Sequence, residues 1–92
     1  MRFEWDDEKN AANIRKHKID FADVPPVFSG PMLMELDERI DYGENRWLGI
    51  GLLKRSVVLV VFVERDGDTL HLISARKANQ HEREKYEQAI AN

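Results

Sequence analysis

Residues 46–77 read RWLGIGLLKRSVVLVVFVERDGDTLHLISARK, and their pattern decides the fold. β-Branched and aromatic residues dominate, and two turn signals interrupt them. RWLGIGLLK and VVLVVFVER meet at Arg55-Ser56, and TLHLISARK follows Asp66-Gly67-Asp68. Apolar segments this short and continuous read as strands, and an Asp-Gly between two of them marks a hairpin. The expectation is an antiparallel β-meander of three strands.

The turns imply a register. A two-residue loop at Arg55-Ser56 sets Lys54 opposite Val57, Leu52 opposite Leu59, Ile50 opposite Val61, Leu48 opposite Val63 and Arg46 opposite Arg65. A four-residue loop over 66–69 sets Arg65 opposite Leu70, Val63 opposite Leu72, Val61 opposite Ser74 and Leu59 opposite Arg76. Side chains alternate with period two. One face then carries Leu48, Ile50, Leu52, Leu59, Val61, Val63, Leu70 and Leu72. The other carries Trp47, Gly49, Gly51, Val58, Val60, Phe62, Ile73 and Ala75. Both faces are apolar, so helices or a partner must cover both. Arg46 facing Arg65 would be a repulsive pair, which calls for an anion or an acidic side chain between them.

Outside the meander the signals are shorter. Arg2 to Trp5 can form a strand, with Phe3 and Trp5 alternating against Arg2 and Glu4. Asp6 or Asp7 is a candidate N-cap for a helix running to about His17, with Glu8 in its first turn. Lys9, Asn13, Lys16 and His17 recur three or four apart, which is either a solvated face or a polar array toward a ligand. In IDFADVPPVF, Phe21, Val24, Val27 and Phe28 are core candidates. Pro25-Pro26 forces any helix there to start late or stay short. Met32 to Leu36 is a candidate strand and DERIDYGEN (37–45) a polar loop without calcium-loop spacing. Asn79 and Glu82 form a capping-box pattern opening a helix over 78–91.

At 92 residues, 42% hydrophobic and 34% charged, the chain is expected to be one domain of ordinary globular composition. Without cysteine it has no disulfides and no thiolate metal site. No apolar run is long enough to span a membrane, and MRFEWDDEK lacks the pattern of a secretion signal, so a cytoplasmic location is expected. A net charge of −3 gives no global attraction to nucleic acid and leaves only local basic patches. No helix-turn-helix pattern points to a DNA-binding regulator.

Taken in order, FEWD (3–6), Lys9, Asn13, Lys16-His17, Ile19, Phe21, Ala22 and Val27-Phe28, then Arg46, Gly51, Glu64-Arg65, ISAR (73–76), Ala78, Glu82 and Tyr86, resemble the BrnT-type toxins. The resemblance covers nearly the whole chain. It implies an α+β domain of the RelE/ParE-like kind, with N-terminal helices, an antiparallel β-meander and a C-terminal helix. It further implies a ribonuclease toxin that arrests translation and is neutralised by a BrnA-type antitoxin, with operator DNA bound only through that antitoxin. Lys18 stands where such proteins usually have glycine, and Pro25-Pro26 replaces helix formers.

RNA cleavage without a metal or cofactor needs a base for the ribose 2′-hydroxyl, cations for the phosphorane and an acid for the leaving oxygen. Arg76, Arg65 and Arg46 are the candidates for phosphate, since a guanidinium donates two parallel hydrogen bonds. His17 and Glu64 are the candidate proton-transfer groups, although alternation points Glu64 away from Arg65 and Arg76. Lys9, Lys16 and Lys54 are placed to hold the RNA backbone, whether or not on a ribosome, and Trp5 to stack on a base or to fill the core. His71 reads as a structural or partner-facing strand residue and His81 as solvated. A reading of another class is a non-catalytic module, in which an apolar sheet face receives a partner helix and the arginines bind its carboxylates.

Overall fold

The computed structural model describes residues 1–90 and shows an α+β architecture, as expected. Strand β1 (Arg2–Trp5) leads into helix α1 (Asp7–His17), followed by two 3-10 turns at Phe21–Asp23 and Pro25–Ser29. Strands β2 (Leu33–Asp37), β3 (Arg46–Leu53), β4 (Ser56–Arg65) and β5 (Thr69–Lys77) then precede helix α2 (Gln80–Ile90). The sheet order is β1-β5-β4-β3-β2, with β1 parallel to β5 and the other pairs antiparallel. The expected helix end at Ala91 lies outside the described residues.

The meander forms, but its register departs from expectation in two places. The first hairpin turns at Lys54-Arg55, where Lys54 adopts φ 57°, so Leu53 pairs with Ser56 and Ile50 with Leu59. A positive φ in a two-residue loop matches the twist of the strands it joins. The shift is two residues, which preserves the faces of β3 and β4 while separating Arg46 from Arg65. The expected arginine pair is therefore absent: Arg46 is the ladder partner of Asp37 on β2.

The second departure changes faces. β4 and β5 pair as expected through Leu59–Arg76 and Val61–Ser74, but the next pair is Phe62–Leu72. Ile73 is the extra residue of a β-bulge, and everything before it on β5 inverts. Leu70 and Leu72 move to the face carrying Val58, Val60 and Phe62, while His71 moves to the opposite face beside Val63.

The N-terminal segment covers the first of these faces. Phe21, Val24, Val27, Val58, Val60, Phe62 and Leu72 are at most 2% exposed, each burial contributing about 1.5–3 kcal/mol. Phe28 packs edge-on against Phe62 at 5.0 Å and tilts against Phe3 at 5.3 Å. The Pro25–Ser29 turn lies so close to β3 that a Cβ on Gly51 would meet Val27 Cγ1 at 2.8 Å. The two prolines thus give a short 3-10 turn, with Pro at its first positions.

Helix α1 starts at its expected cap, Asp6, whose Oδ1 accepts from the Glu8 and Lys9 amides at 2.8 and 3.3 Å. Lys18 takes the left-handed conformation (φ 62°) that glycine would have supplied, and its N–H closes on the Ile14 carbonyl. Beyond the last β1–β5 pair, Trp5–Leu72, Asn13 replaces the missing strand. Its amide donates to the Ala75 and Ile19 carbonyls, each at 2.9 Å, and its Oδ1 accepts from the Ala75 N–H at 3.1 Å. The buried Asn13 thereby satisfies a sheet edge that would otherwise be left without partners.

Candidate active site

The second sheet face is only half covered. Tyr86 and Ile90 of α2 pack on Ile50 and Leu59, with Leu33 and Leu48 alongside. The Tyr86 hydroxyl donates to the Pro31 carbonyl at 3.1 Å, and Lys85 pairs with Glu35. The capping box opening α2 is present: Asn79 Oδ1 accepts from the Glu82 N–H at 2.8 Å, and Glu82 Oε1 from the Asn79 N–H at 2.9 Å. The rest of this face carries the charged and imidazole side chains that could act on a substrate.

At the far end of that face, Glu4, His71 and Val63 are successive ladder partners on β1, β5 and β4. One step past the Trp47–Phe62 pair, Arg46 comes alongside Val63 and extends the row onto β3. Glu4 Oε2 lies 2.6 Å from His71 Nδ1 and 3.5 Å from Arg65 Nη1. Arg65 also reaches Glu44 at 3.7 Å. Arg46 stacks its guanidinium 3.9 Å above the Tyr42 ring, and its Nε is buried without a hydrogen-bond partner among the described residues.

Arg76 lies elsewhere. Leu59 is its ladder partner and Arg65 is six residues further along β4, so Arg65 and Arg76 are about 20 Å apart at ~3.3 Å per residue. Both Arg76 η-nitrogens are engaged by Glu82, at 2.8 and 2.9 Å. The same bonds hold the Glu82 carboxyl below its ordinary range, against the opposing effect of burial. A phosphate at Arg76 can therefore use its Nε or the remaining N–H of Nη2, or displace Glu82.

His17 belongs to the Arg76 end. Burial lowers its pKa first, and the charges of Lys16 and Arg76 lower it further, which favours the neutral imidazole. His17, Lys9 and Lys16 line one groove with Ile73 and Ser74, so this side of α1 faces β5 across a shared groove. Lys54 is not part of it. It sits with Lys18 and Lys77 around a separate cleft of about 210 Å³ floored by Ile19, Leu53 and Val58.

Glu64 is exposed and by alternation points to the face opposite Arg65, yet the two line one cleft at the end of the sheet together with Glu44, Asn45, Trp47 and Val63. Trp5 packs edge-on against Phe21 at 6.2 Å and is a partly buried member of the core. In the 37–45 segment Asp37 departs from its loop reading. It ends β2, is 6% exposed, and accepts two bonds from the Arg39 guanidinium at 2.8 and 2.9 Å, one from the Arg39 N–H at 3.2 Å and one from the Tyr42 hydroxyl at 3.3 Å. Those bonds push its carboxyl down to about 2. Among the described residues no cluster of His, Asp or Glu is arranged to hold a metal ion, and no helix is long and apolar enough to cross a membrane.

Glu4 and His71 were not singled out from the sequence as site residues. Their contact depends on two non-local events, the parallel β1–β5 pairing and the bulge at Ile73. The one available signal was the short FEW strand with Glu4 on the face opposite Phe3 and Trp5.

Comparison with known proteins accords with this architecture. No curated protein sequence matches the chain. The crystal structure of the Brucella abortus ribonuclease toxin BrnT superimposes with a TM-score of 0.69 at 29% identity, covering 87% of this chain and 99% of that one. A family model described as the ribonuclease toxin BrnT of type II toxin-antitoxin systems matches residues 5–82. The chain belongs to the BrnT family of ribonuclease toxins.

Proposed function

We propose that the chain is an endoribonuclease of the RelE/ParE-like kind that cleaves RNA without a metal, arrests translation and is silenced by a BrnA-type antitoxin. The observation that carries this reading is the partly covered sheet face, where Arg46 and Arg65 stand at one end beside the buried Val63 and Arg76 stands at the other. Fixed guanidinium groups on a rigid sheet can stabilise a phosphorane as its charge develops. Lys9 and Lys16 are placed to hold the RNA backbone along the α1 groove, with His17 facing the same path, and Lys54 to hold it at the adjoining cleft. The antitoxin would cover the open half of the sheet, and operator DNA would be contacted through it.

In the reaction the ribose 2′-oxygen bonds to the adjacent phosphorus while the bond to the 5′-oxygen breaks, leaving a 2′,3′-cyclic phosphate and a 5′-hydroxyl. Induced expression in a bacterial host, with growth, protein synthesis and RNA ends followed together, tests the reading. Arrest with new RNA ends for the wild type, and their loss in Arg65→Ala, supports it. Normal growth and intact RNA with soluble wild-type protein overturns it. That outcome favours a non-catalytic binding module, to which the carboxylates already paired with Arg65 and Arg76 also point.

A further inference from the structure

Resting on the ribonuclease reading, we infer that His71 is the proton-transfer group of the cleavage reaction and that Glu4 is the residue that positions it. The ring and the carboxylate meet at 2.6 Å, close for a hydrogen bond between an imidazole and a carboxylate. An ionised carboxylate can only accept, so Nδ1 carries the proton and Nε2 is left to act. Among the described residues the ring makes no other hydrogen bond. The His71 side chain is 17% exposed, sheltered yet reachable from the open half of the sheet.

The surroundings fit a phosphodiester. Arg46 stands two strands away in the same row, about 10 Å between backbones at ~4.8 Å per strand, across the buried Val63, so a phosphate on the outer side of the row lies within reach of both side chains. Arg65 shares the Glu4 oxygen that holds His71, so one carboxylate fixes both the base and a neighbouring cation. The step balances as follows. Nε2 takes the 2′-hydroxyl proton as the 2′-oxygen attacks phosphorus. The departing 5′-oxygen takes a proton from water, and the imidazolium returns its proton to the hydroxide so formed. Glu4 stabilises the transient imidazolium, the role a carboxylate plays behind a catalytic histidine.

The test uses purified wild-type protein, His71→Asn and Glu4→Gln in a bacterial translation extract programmed with a defined messenger RNA. Cleavage rate and end chemistry are followed from pH 5 to 9, and the thermal midpoint of each protein is measured. Asparagine keeps a donor for Glu4 but cannot transfer the proton, so H71N is expected to retain its fold and lose roughly 100-fold or more in rate. E4Q is expected to lose less, with kcat lowered and KM unchanged. Folded H71N cleaving within threefold of wild type, or E4Q with kcat unchanged, overturns the assignment. Should H71N not fold, E4Q and its split between kcat and KM decide the matter. Wild-type protein that leaves the message intact refutes the ribonuclease reading itself, a result distinct from the other two.

Discussion

Replacing Asn13 by alanine should cost the fold more than any surface change on α1, because this one side chain completes the edge of β5. Three hydrogen bonds disappear: two donated to the carbonyls of Ala75 and Ile19 and one accepted from the Ala75 N–H. All three are buried, and at about 1 kcal/mol net for each bond the loss is ~3 kcal/mol. Alanine's better helix propensity returns about half a kcal/mol. The expected net loss of about 2.5 kcal/mol is a large share of the ~5–14 kcal/mol available to a domain of this size. In thermal terms it corresponds to roughly 10–20 °C. Urea titration of both proteins, with the slope checked for constancy, reads the change directly. Asn10→Ala is the control, since the bonds from Asn10 to Asp20 and from the Phe21 amide are only part-buried. An N13A loss below about 1 kcal/mol, or one equal to N10A, would refute the claim that Asn13 substitutes for a strand.

Other outcomes follow from single contacts. Gly51→Val should destabilise by about 1–3 kcal/mol in the same titration, because the new side chain meets Val27 Cγ1 and Met32 Cγ at 2.8 and 3.2 Å from its first carbon. Arg76→Ala and Glu82→Gln should each loosen α2, with a coupling of about 1 kcal/mol in a double-mutant cycle. If Arg76 also holds RNA, R76A loses cleavage while E82Q, which frees the guanidinium, keeps it. The Asp37 carboxyl has its pKa lowered from 3.8 to about 2, so its contribution is complete above about pH 4 and is lost as the pH falls toward 2. With Arg39 66% exposed and screened by water, that contribution is about 1–2 kcal/mol, and Asp37→Asn should flatten the stability curve between pH 4 and 2.

The parts of the fold legible in the sequence were those set by local chemistry. The apolar runs of β4 and β5, the Asp6 cap, the Asn79–Glu82 box and the turn forced by Pro25-Pro26 all depend on neighbours within a few residues. The β4–β5 register was legible only as far as Val61–Ser74. Nothing in LHLISAR marks Ile73 as surplus, because the bulge exists only in how β5 pairs with β4. That single residue puts His71 on the working face, so the Glu4–His71 contact stayed hidden even though both strands were visible. The Lys18 position shows the opposite case. A lysine reads poorly for a left-handed stop, yet Lys18 adopts φ 62° and closes the helix on the Ile14 carbonyl. Arg46, Arg65 and Arg76 were legible as candidates from their chemistry, while their division between two ends of the sheet required the register.

The account's central claim is that the half-open sheet face cleaves RNA at its Arg46–Arg65 end. Mapping RNA ends after induction of wild type, Arg46→Ala and Arg65→Ala, at matched soluble protein levels, tests it most directly. The account predicts new ends with 2′,3′-cyclic phosphates for the wild type and their loss in both variants. Undiminished cleavage by folded R46A and R65A would contradict it and move the chemistry to the Arg76–His17 end.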